Sequence, residues 1–255
     1  MEENSFLALS IYVLAGVLTA IVNTLAGSGT IFSFGALLFL GVPIELANTT
    51  NRIGVFFQNI SAIITFRRYG RHSLKNLKFQ FVFPTLIGAM IGAFAAIDVS
   101  EKFLNIVAGL AMVALLFDAL LDFKKRIRNL HWFAKHSFWI TQVIFFAIGL
   151  YGGFIQIGIG IMVVFAVHLF TDSDLIESNF LKLIIILIYT VPTTIYFIYQ
   201  GKIIWFPAIA LTVGQIIGAV IAGIFSNVSS KAELWIRRLL VVMILVTLVK
   251  ITFFS

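Results

Sequence analysis

The signature segments of this chain occur twice, in the same order, about 130 residues apart. The matched pairs are Gly27-Ser28-Gly29 with Gly158-Ile159-Gly160, Asn48 with Asn179, Tyr69-Gly70 with Gln200-Gly201, Ile87-Gly88-Ala89 with Ile217-Gly218-Ala219, and Asp98 to Lys102 with Asn227 to Lys231. Five ordered pairs whose offset stays between 129 and 131 are hard to obtain by chance in glycine-rich apolar sequence. We therefore predict two related halves, 1–128 and 129–255, within one integral membrane domain.

The composition places the chain in a membrane. It is 60% hydrophobic and 11% charged, whereas soluble chains carry about 25% charged residues. The first residues lack the basic segment that opens a signal peptide, so we interpret 6–25 as a retained helix. The chain has no cysteine, which excludes disulfides, thiolate chemistry and iron–sulfur clusters.

The net charge of +7 is concentrated in two loops. The basic residues of these loops are Arg67, Arg68, Arg71, Lys75, Lys78, Lys124, Lys125, Arg126, Arg128 and Lys135. Neither loop contains an acid, and basic loops between apolar runs are typical of the cytoplasmic side of a membrane protein. We expect loops 67–78 and 124–136 to be cytoplasmic and predict no nucleic-acid partner. Such loops would also suit a homodimer bound to anionic lipid.

The apolar runs predict an all-α polytopic membrane protein with about eight full-length helices and two short or broken ones. The predicted segments are 6–25, 28–41, 45–66, 78–97, 102–122, 138–156, 158–170, 175–198, 203–225 and 232–253. Segments 28–41 and 158–170 are too short for a hydrocarbon layer of about 30 Å. They either cross as short helices or return to the side from which they entered.

These two alternatives give different symmetries. If the short segments cross, the second half is inverted relative to the first. If they return, the two halves run parallel. Inversion leaves Lys231, Arg237 and Arg238 in the cytoplasm and Glu2 and Glu3 outside. Because membrane orientation follows Lys and Arg near the ends of segments, we favour inverted repeats.

Each half contains one cation within an otherwise apolar segment. Arg52 follows Asn48, Thr49 and Asn51, and Lys182 follows Asn179. A cation at the centre of a membrane helix costs about 2.5–3.5 kcal/mol, and it is usually functional or paired. The alternative is that each side chain extends to the lipid headgroups, since both lie within two turns of a helix end.

Glycines precede both clusters and indicate breaks in the helices. A broken helix leaves free N–H groups at its N-terminus, where the macrodipole favours an anion. Together with Asn and Thr donors, the arginine and the lysine would form an anion cradle. The predicted substrate-binding residues are Gly27, Gly29, Asn48, Thr49, Asn51, Arg52, Gln156, Gly158, Gly160, Asn179 and Lys182.

The sequence favours no catalytic or metal site. His168 has no second ligand at metal-binding spacing. Ser28 lies between glycines, but nothing in the sequence places a base beside it, and Ile159 stands at the matching position of the second half. We expect no enzyme activity, no metal and no cofactor. An apolar chain with two related halves is typical of a secondary transporter, with its site between the halves.

The pattern resembles the TauE/SafE family of sulfite-exporter-like membrane proteins. The resemblance rests on a glycine-rich stretch, a Gly-Val-Pro turn and Ala-x-x-Thr opening the next helix, present as Gly27 to Thr30, Gly41 to Pro43 and Ala47 to Thr50. Many members carry a longer glycine run than this chain does. The resemblance implies export of sulfite, an organosulfonate or a related sulfur oxyanion across the bacterial inner membrane. An anion-selective channel and a non-transporting scaffold are the alternatives.

Overall fold

The computed structural model describes residues 2–25, 27–69, 77–121, 138–171, 173, 175–224 and 230–253. All ordered elements in these ranges are helices, which confirms the predicted all-α fold. The helices are α1 Glu2–Leu25, α2 Thr30–Phe39, α3 Ile44–Tyr69, α4 Phe79–Ile97, α5 Glu101–Leu121, α6 Phe138–Phe154, α7 Ile159–Phe170, α8 Leu175–Tyr199, α9 Trp205–Ile224 and α10 Ser230–Phe253. Most of the two predicted basic loops, at 70–76 and 122–137, lies outside the described residues.

Five of the described helices are long and apolar enough to cross a membrane, so the chain is a multi-pass membrane protein. These candidate spans are Phe6–Leu25, Phe79–Ile97, Glu101–Leu120, Ile176–Tyr199 and Trp205–Ile224. The two segments predicted to be short are α2, with 10 residues, and α7, with 12. At 1.5 Å per residue they measure about 15 and 18 Å, roughly half the hydrocarbon thickness.

Small residues join the two halves. α4 packs against α6, and α1 packs against α9. A Cβ atom on Gly88 would lie 2.8 Å from the backbone nitrogen of Leu150, and one on Gly218 would lie 2.9 Å from Cβ of Ala20. Backbones approach this closely only where side chains are absent, as is common between membrane helices. The pattern is reciprocal, because the first helix of each predicted half meets the fourth helix of the other.

The central pair of helices, α3 and α8, crosses in opposite directions. The Arg52 guanidinium lies 4.8 Å from the ring centroid of Phe197. The rings of Phe66 and Phe180 have centroids 6.4 Å apart. A residue near the start of α3 thus contacts one near the end of α8, and a residue near the end of α3 contacts one near the start of α8. Helices at matching positions of the two predicted halves therefore run antiparallel.

α3 and α9 run in the same direction. A Cβ atom on Gly54 would lie 2.7 Å from the amide oxygen of Gln215, and one on Gly223 would lie 2.5 Å from the methyl group of Thr65. Residue numbers therefore rise together along the two helices.

α1 also runs parallel to α9, since Tyr12 meets Phe206 near the start of each helix and Ala20 meets Gly218 further along. Consequently α1 and α3 point the same way, and the short α2 carries the chain back between them. This is the direction expected when the short segments cross and the second half is inverted. The division into 1–128 and 129–255 stays a prediction.

Candidate functional site

Arg52 is buried inside the protein, in the third turn of α3. Its side chain has 0% exposure, and one of its terminal nitrogens, Nη2, donates a hydrogen bond to the carbonyl of Gly153 at 2.6 Å. Gly153 belongs to the last turn of α6, whose carbonyls have no partner within the helix. The negative end of the helix dipole also favours a cation there. The alternative in which Arg52 reaches the headgroups is wrong, because its guanidinium lies within the packed helices.

Two amide residues lie at the end of α6 that Arg52 binds. Nδ2 of Asn48 donates to the carbonyl of Phe154 at 2.8 Å, and its Oδ1 accepts from the backbone N–H of Gln156 at 3.3 Å. The Gln156 side chain donates to the hydroxyl of Thr190 at 3.4 Å. The structure thus brings together Asn48, Arg52 and Gln156, three of the residues predicted from sequence, at the end of α6.

Lys182 and Asn179 make the equivalent contacts in the other half. Lys182, with 1% exposure, donates from Nζ to the carbonyl of Asn23 at 2.7 Å. Asn179 donates from Nδ2 to the carbonyl of Thr24. Both carbonyls lie in the last turn of α1, as those of Gly153 and Phe154 lie in the last turn of α6. Each predicted half therefore supplies one cation and one asparagine to the C-terminus of the other half's first helix.

The two predicted glycine breaks meet at the interface between the halves. Gly27 and Gly158 have φ angles of 90° and 71°, a backbone conformation that glycine adopts without strain. A Cβ atom on Gly27 would lie 2.8 Å from the carbonyl carbon of Gly160. Gly29 packs as closely against α1, since its Cβ atom would lie 3.0 Å from that of Asn23. The helices end at Leu25 and Phe154 and resume at Thr30 and Ile159, which confirms that they break at the glycines.

Other predicted residues point elsewhere. The Thr49 hydroxyl lies within hydrogen-bond distance of the carbonyls of Glu45, Leu46 and Lys202. Oδ1 of Asn51 accepts a hydrogen bond from the Gln215 side chain at 3.1 Å, on the side of α3 that faces α9. None of these hydrogen bonds involves the Arg52 guanidinium.

The structure also separates the two cations, which the sequence placed in one cradle. Phe197, the ring beneath Arg52, lies 15 positions beyond Lys182 on α8. At 1.5 Å per residue this is about 22 Å of helix. The site therefore consists of two related groups, one at the end of α6 and one at the end of α1, with the glycine breaks joining them.

Sequence reasoning missed three side chains beside Arg52. Phe197 lies under the guanidinium, and the Tyr189 hydroxyl lies beside Gln156 and Thr190. Tyr189 and Thr190 have 0% exposure. The repeat offset of 131 maps them onto the polar pair Gln58 and Asn59. That match between polar positions in the two halves was the signal that could have identified them.

The Arg52 guanidinium keeps unused hydrogen-bonding capacity. Its Nε and Nη1 atoms are buried and have no hydrogen-bond partner, and Oε1 of Gln156 has none either. In the described part of the chain, no Asp or Glu forms an ion pair with Arg52. A buried charge is normally paired or metal-coordinating. A positive charge with free donors and no carboxylate is suited to binding an anion.

Comparison with known proteins agrees with this geometry. A multi-pass helical protein with a buried cation that pairs with no described carboxylate, where helices of two predicted halves meet, has the architecture of a membrane transporter. The family model described as "Sulfite exporter TauE/SafE" matches residues 12–251, so the chain belongs to the TauE/SafE sulfite exporter family. The match confirms the family resemblance seen in the sequence. No curated protein and no solved structure matches the chain.

Proposed function

We propose that this protein is a secondary transporter that exports a small sulfur oxyanion, such as sulfite or an organosulfonate, across the bacterial inner membrane. The observation that carries the proposal is the Arg52 guanidinium, which is fully buried, unpaired with any described carboxylate, and provided with two unpartnered nitrogen atoms. Membership of the TauE/SafE family supports the substrate class and the direction of transport.

The chemistry of Arg52 suits a sulfur oxyanion. A guanidinium presents donors in a fixed planar fork, which can bind two oxygen atoms of one anion at once. In this protein Nε and Nη1 have no partner, and Nη2 uses one of its two N–H groups on Gly153. The other N–H of Nη2 can pair with that of Nε or of Nη1 on a single anion. The Gln156 amide bonds to Thr190. Thr190 lies on the same face of α8 as Phe197, two turns earlier. These groups would orient the oxyanion and replace its hydration.

Alternating access would follow from the reciprocal packing of the two halves. Arg52 and Lys182 each bond to a helix end in the other half, so relative movement of the halves changes the surroundings of both cations. The antiparallel crossing of α3 and α8 supports inverted repeats, in which the two end states are related by symmetry. With inversion, loops 67–78 and 124–136 face the cytoplasm.

A thermal-shift experiment on purified protein tests this proposal. Sulfite, sulfate, thiosulfate, taurine, phosphate and chloride are added separately to the wild-type protein and to Arg52→Gln. A ligand that binds only the folded state, at 100 times its dissociation constant, adds about 2.7 kcal/mol of apparent stability. We expect stabilisation by a sulfur oxyanion in the wild type and none in Arg52→Gln.

Lys202→Gln is the matched control for that experiment. It removes the same charge from a side chain that is 34% exposed and paired with Glu45 on the outside of the bundle. This variant should keep the full shift with the same anion. A shift that persists in Arg52→Gln would remove Arg52 from the site. No shift with any sulfur oxyanion would contradict the proposed substrate class.

A further inference from the structure

α3 remains polar beyond Arg52, on faces of the helix that are buried. Gln58 and Asn59 have 0% and 1% exposure. Neither the amide nitrogen nor the amide oxygen of Gln58 has a hydrogen-bond partner, and Nδ2 of Asn59 has none. A buried donor or acceptor without a partner costs about 1–3 kcal/mol. Polar side chains kept at such cost within a membrane protein usually mark a pathway for a substrate or an ion.

Asn59 lies on the same face of α3 as Arg52. The two are seven positions apart, which is two turns and about 10 Å of helix. Phe66 follows after another seven positions. Because Arg52 contacts Phe197 and Phe66 contacts Phe180, this face of α3 is the one that crosses α8. Asn59 therefore lies at the crossing, between the contact near the end of α8 and the contact near its start.

Gln58 lies on the neighbouring face, which is directed toward α9. It follows Asn51 by two turns and Gly54 by one turn. Asn51 accepts a hydrogen bond from Gln215, and Gly54 packs against the same amide. Oε1 of Gln215 is also buried without a partner. Unsatisfied amide groups therefore continue along α3 on two adjacent faces.

Helix–helix adhesion does not account for these amides. A buried amide that holds membrane helices together does so through hydrogen bonds between the helices. Gln215 forms such a bond with Asn51, but Gln58 forms none. The Gln58 amide thus contributes no hydrogen bond to the packing, and neither does Nδ2 of Asn59.

We propose that Gln58 and Asn59 form a second station for the transported oxyanion, two turns of α3 from Arg52 and on the way to the end of α8 that carries Lys182. This inference rests on the proposed function. Neutral amide donors hold an anion less tightly than a guanidinium does. A weaker second station suits conduction, because a transported ion must also leave its site.

The absence of cysteine from the chain makes a direct test straightforward. Asn59→Cys is reconstituted into liposomes and treated with the anionic sulfonatoethyl methanethiosulfonate or with its cationic trimethylammonium analogue. Each rate is divided by that of the same reagent with a small free thiol, because an anionic thiolate repels the anionic reagent. We expect the normalised rate to be about tenfold or more higher for the anionic reagent, since the Arg52 guanidinium two turns away attracts anions. Methanesulfonate in excess should slow the reaction. Ala108→Cys, which replaces an apolar side chain of 0% exposure on α5, should react with neither reagent.

Two results would overturn the second station: no modification of Asn59→Cys under any gradient, or equal normalised rates with the two reagents. Asn59→Leu provides an independent readout. It should keep the anion-induced thermal shift while its flux falls by about tenfold, because binding at Arg52 is intact and passage is not. Wild-type flux in this variant would contradict the inference. If Arg52→Gln binds and transports normally, Arg52 is not part of the site; if the wild-type protein neither binds nor transports a sulfur oxyanion, the proposed function itself fails, whatever Asn59→Cys shows.

Discussion

Gly27 and Gly160 lie backbone against backbone, although 133 positions separate them in the sequence. A Cβ atom on Gly27 would lie 2.8 Å from the carbonyl carbon of Gly160. Gly27 belongs to the break before α2, and Gly160 is the second residue of α7, directly after the other break. The contact therefore joins the two breaks directly, at the place where helix ends from both halves are closest.

Gly160→Ala should destabilise the protein. Its new methyl group would meet the Cα atom of Gly27 at 2.9 Å, and backbone atoms have no rotamer by which to move aside. Overpacking of this kind costs about 1–3 kcal/mol. Thermal unfolding in detergent measures the change. Gly109→Ala is the control, because a Cβ atom there meets nothing within 4 Å and alanine favours the helix. Equal unfolding temperatures for both variants would contradict the close contact.

Arg52→Lys should bind the anion more weakly than the wild type while keeping the positive charge. A lysine ammonium is a point charge and cannot present two parallel N–H groups to two oxygens. The loss of one charge-assisted hydrogen bond, about 1.5–3 kcal/mol, predicts a dissociation constant at least about tenfold higher. Isothermal titration with the anion found in the thermal-shift panel measures it. An unchanged dissociation constant would show that charge alone is recognised.

Asn48→Leu and Asn179→Leu should destabilise the protein by similar amounts. Each change leaves a buried carbonyl at a helix end without its donor, that of Phe154 in one case and that of Thr24 in the other. The expected cost is about 1–3 kcal/mol per variant, measured by thermal unfolding.

The control for the asparagine variants is Thr252→Val on α10. This side chain is exposed, and its hydroxyl bonds only to the carbonyl of Leu248 in its own helix, at 2.8 Å. Its substitution should change stability by less than about 0.5 kcal/mol. A large loss for one asparagine and none for the other would argue against equivalent roles in the two halves.

Glu45→Gln should retain flux and its dependence on pH. The Glu45 carboxylate pairs with Lys202 at 2.8 Å in a partly exposed position, where such pairs contribute about 0–1 kcal/mol. Flux measured in proteoliposomes at several pH values tests the expectation. If the pH dependence disappears in this variant, Glu45 carries a coupled proton and its pairing with Lys202 is more than structural.

Local sequence patterns predicted the helices and their breaks. The lengths of apolar runs located all ten described helices, and the glycines located both short ones, because hydrophobicity and backbone freedom are properties of neighbouring residues. The cations Arg52 and Lys182 were also identified, since a charge within an apolar run is conspicuous. Phe197 and Tyr189 were missed because aromatic residues are common in every segment of this chain.

By itself, the sequence determined that the chain enters a membrane, that its helices break at two glycine positions, and that a cation follows each break. Tertiary structure alone decided what those cations contact. The antiparallel crossing of α3 and α8 places Arg52 at the end of α6 and Lys182 at the end of α1, in two groups instead of one. Periodicity along a helix gives the face on which a residue lies. The partner of that face depends on helix direction and packing between distant segments, which the order of residues does not display.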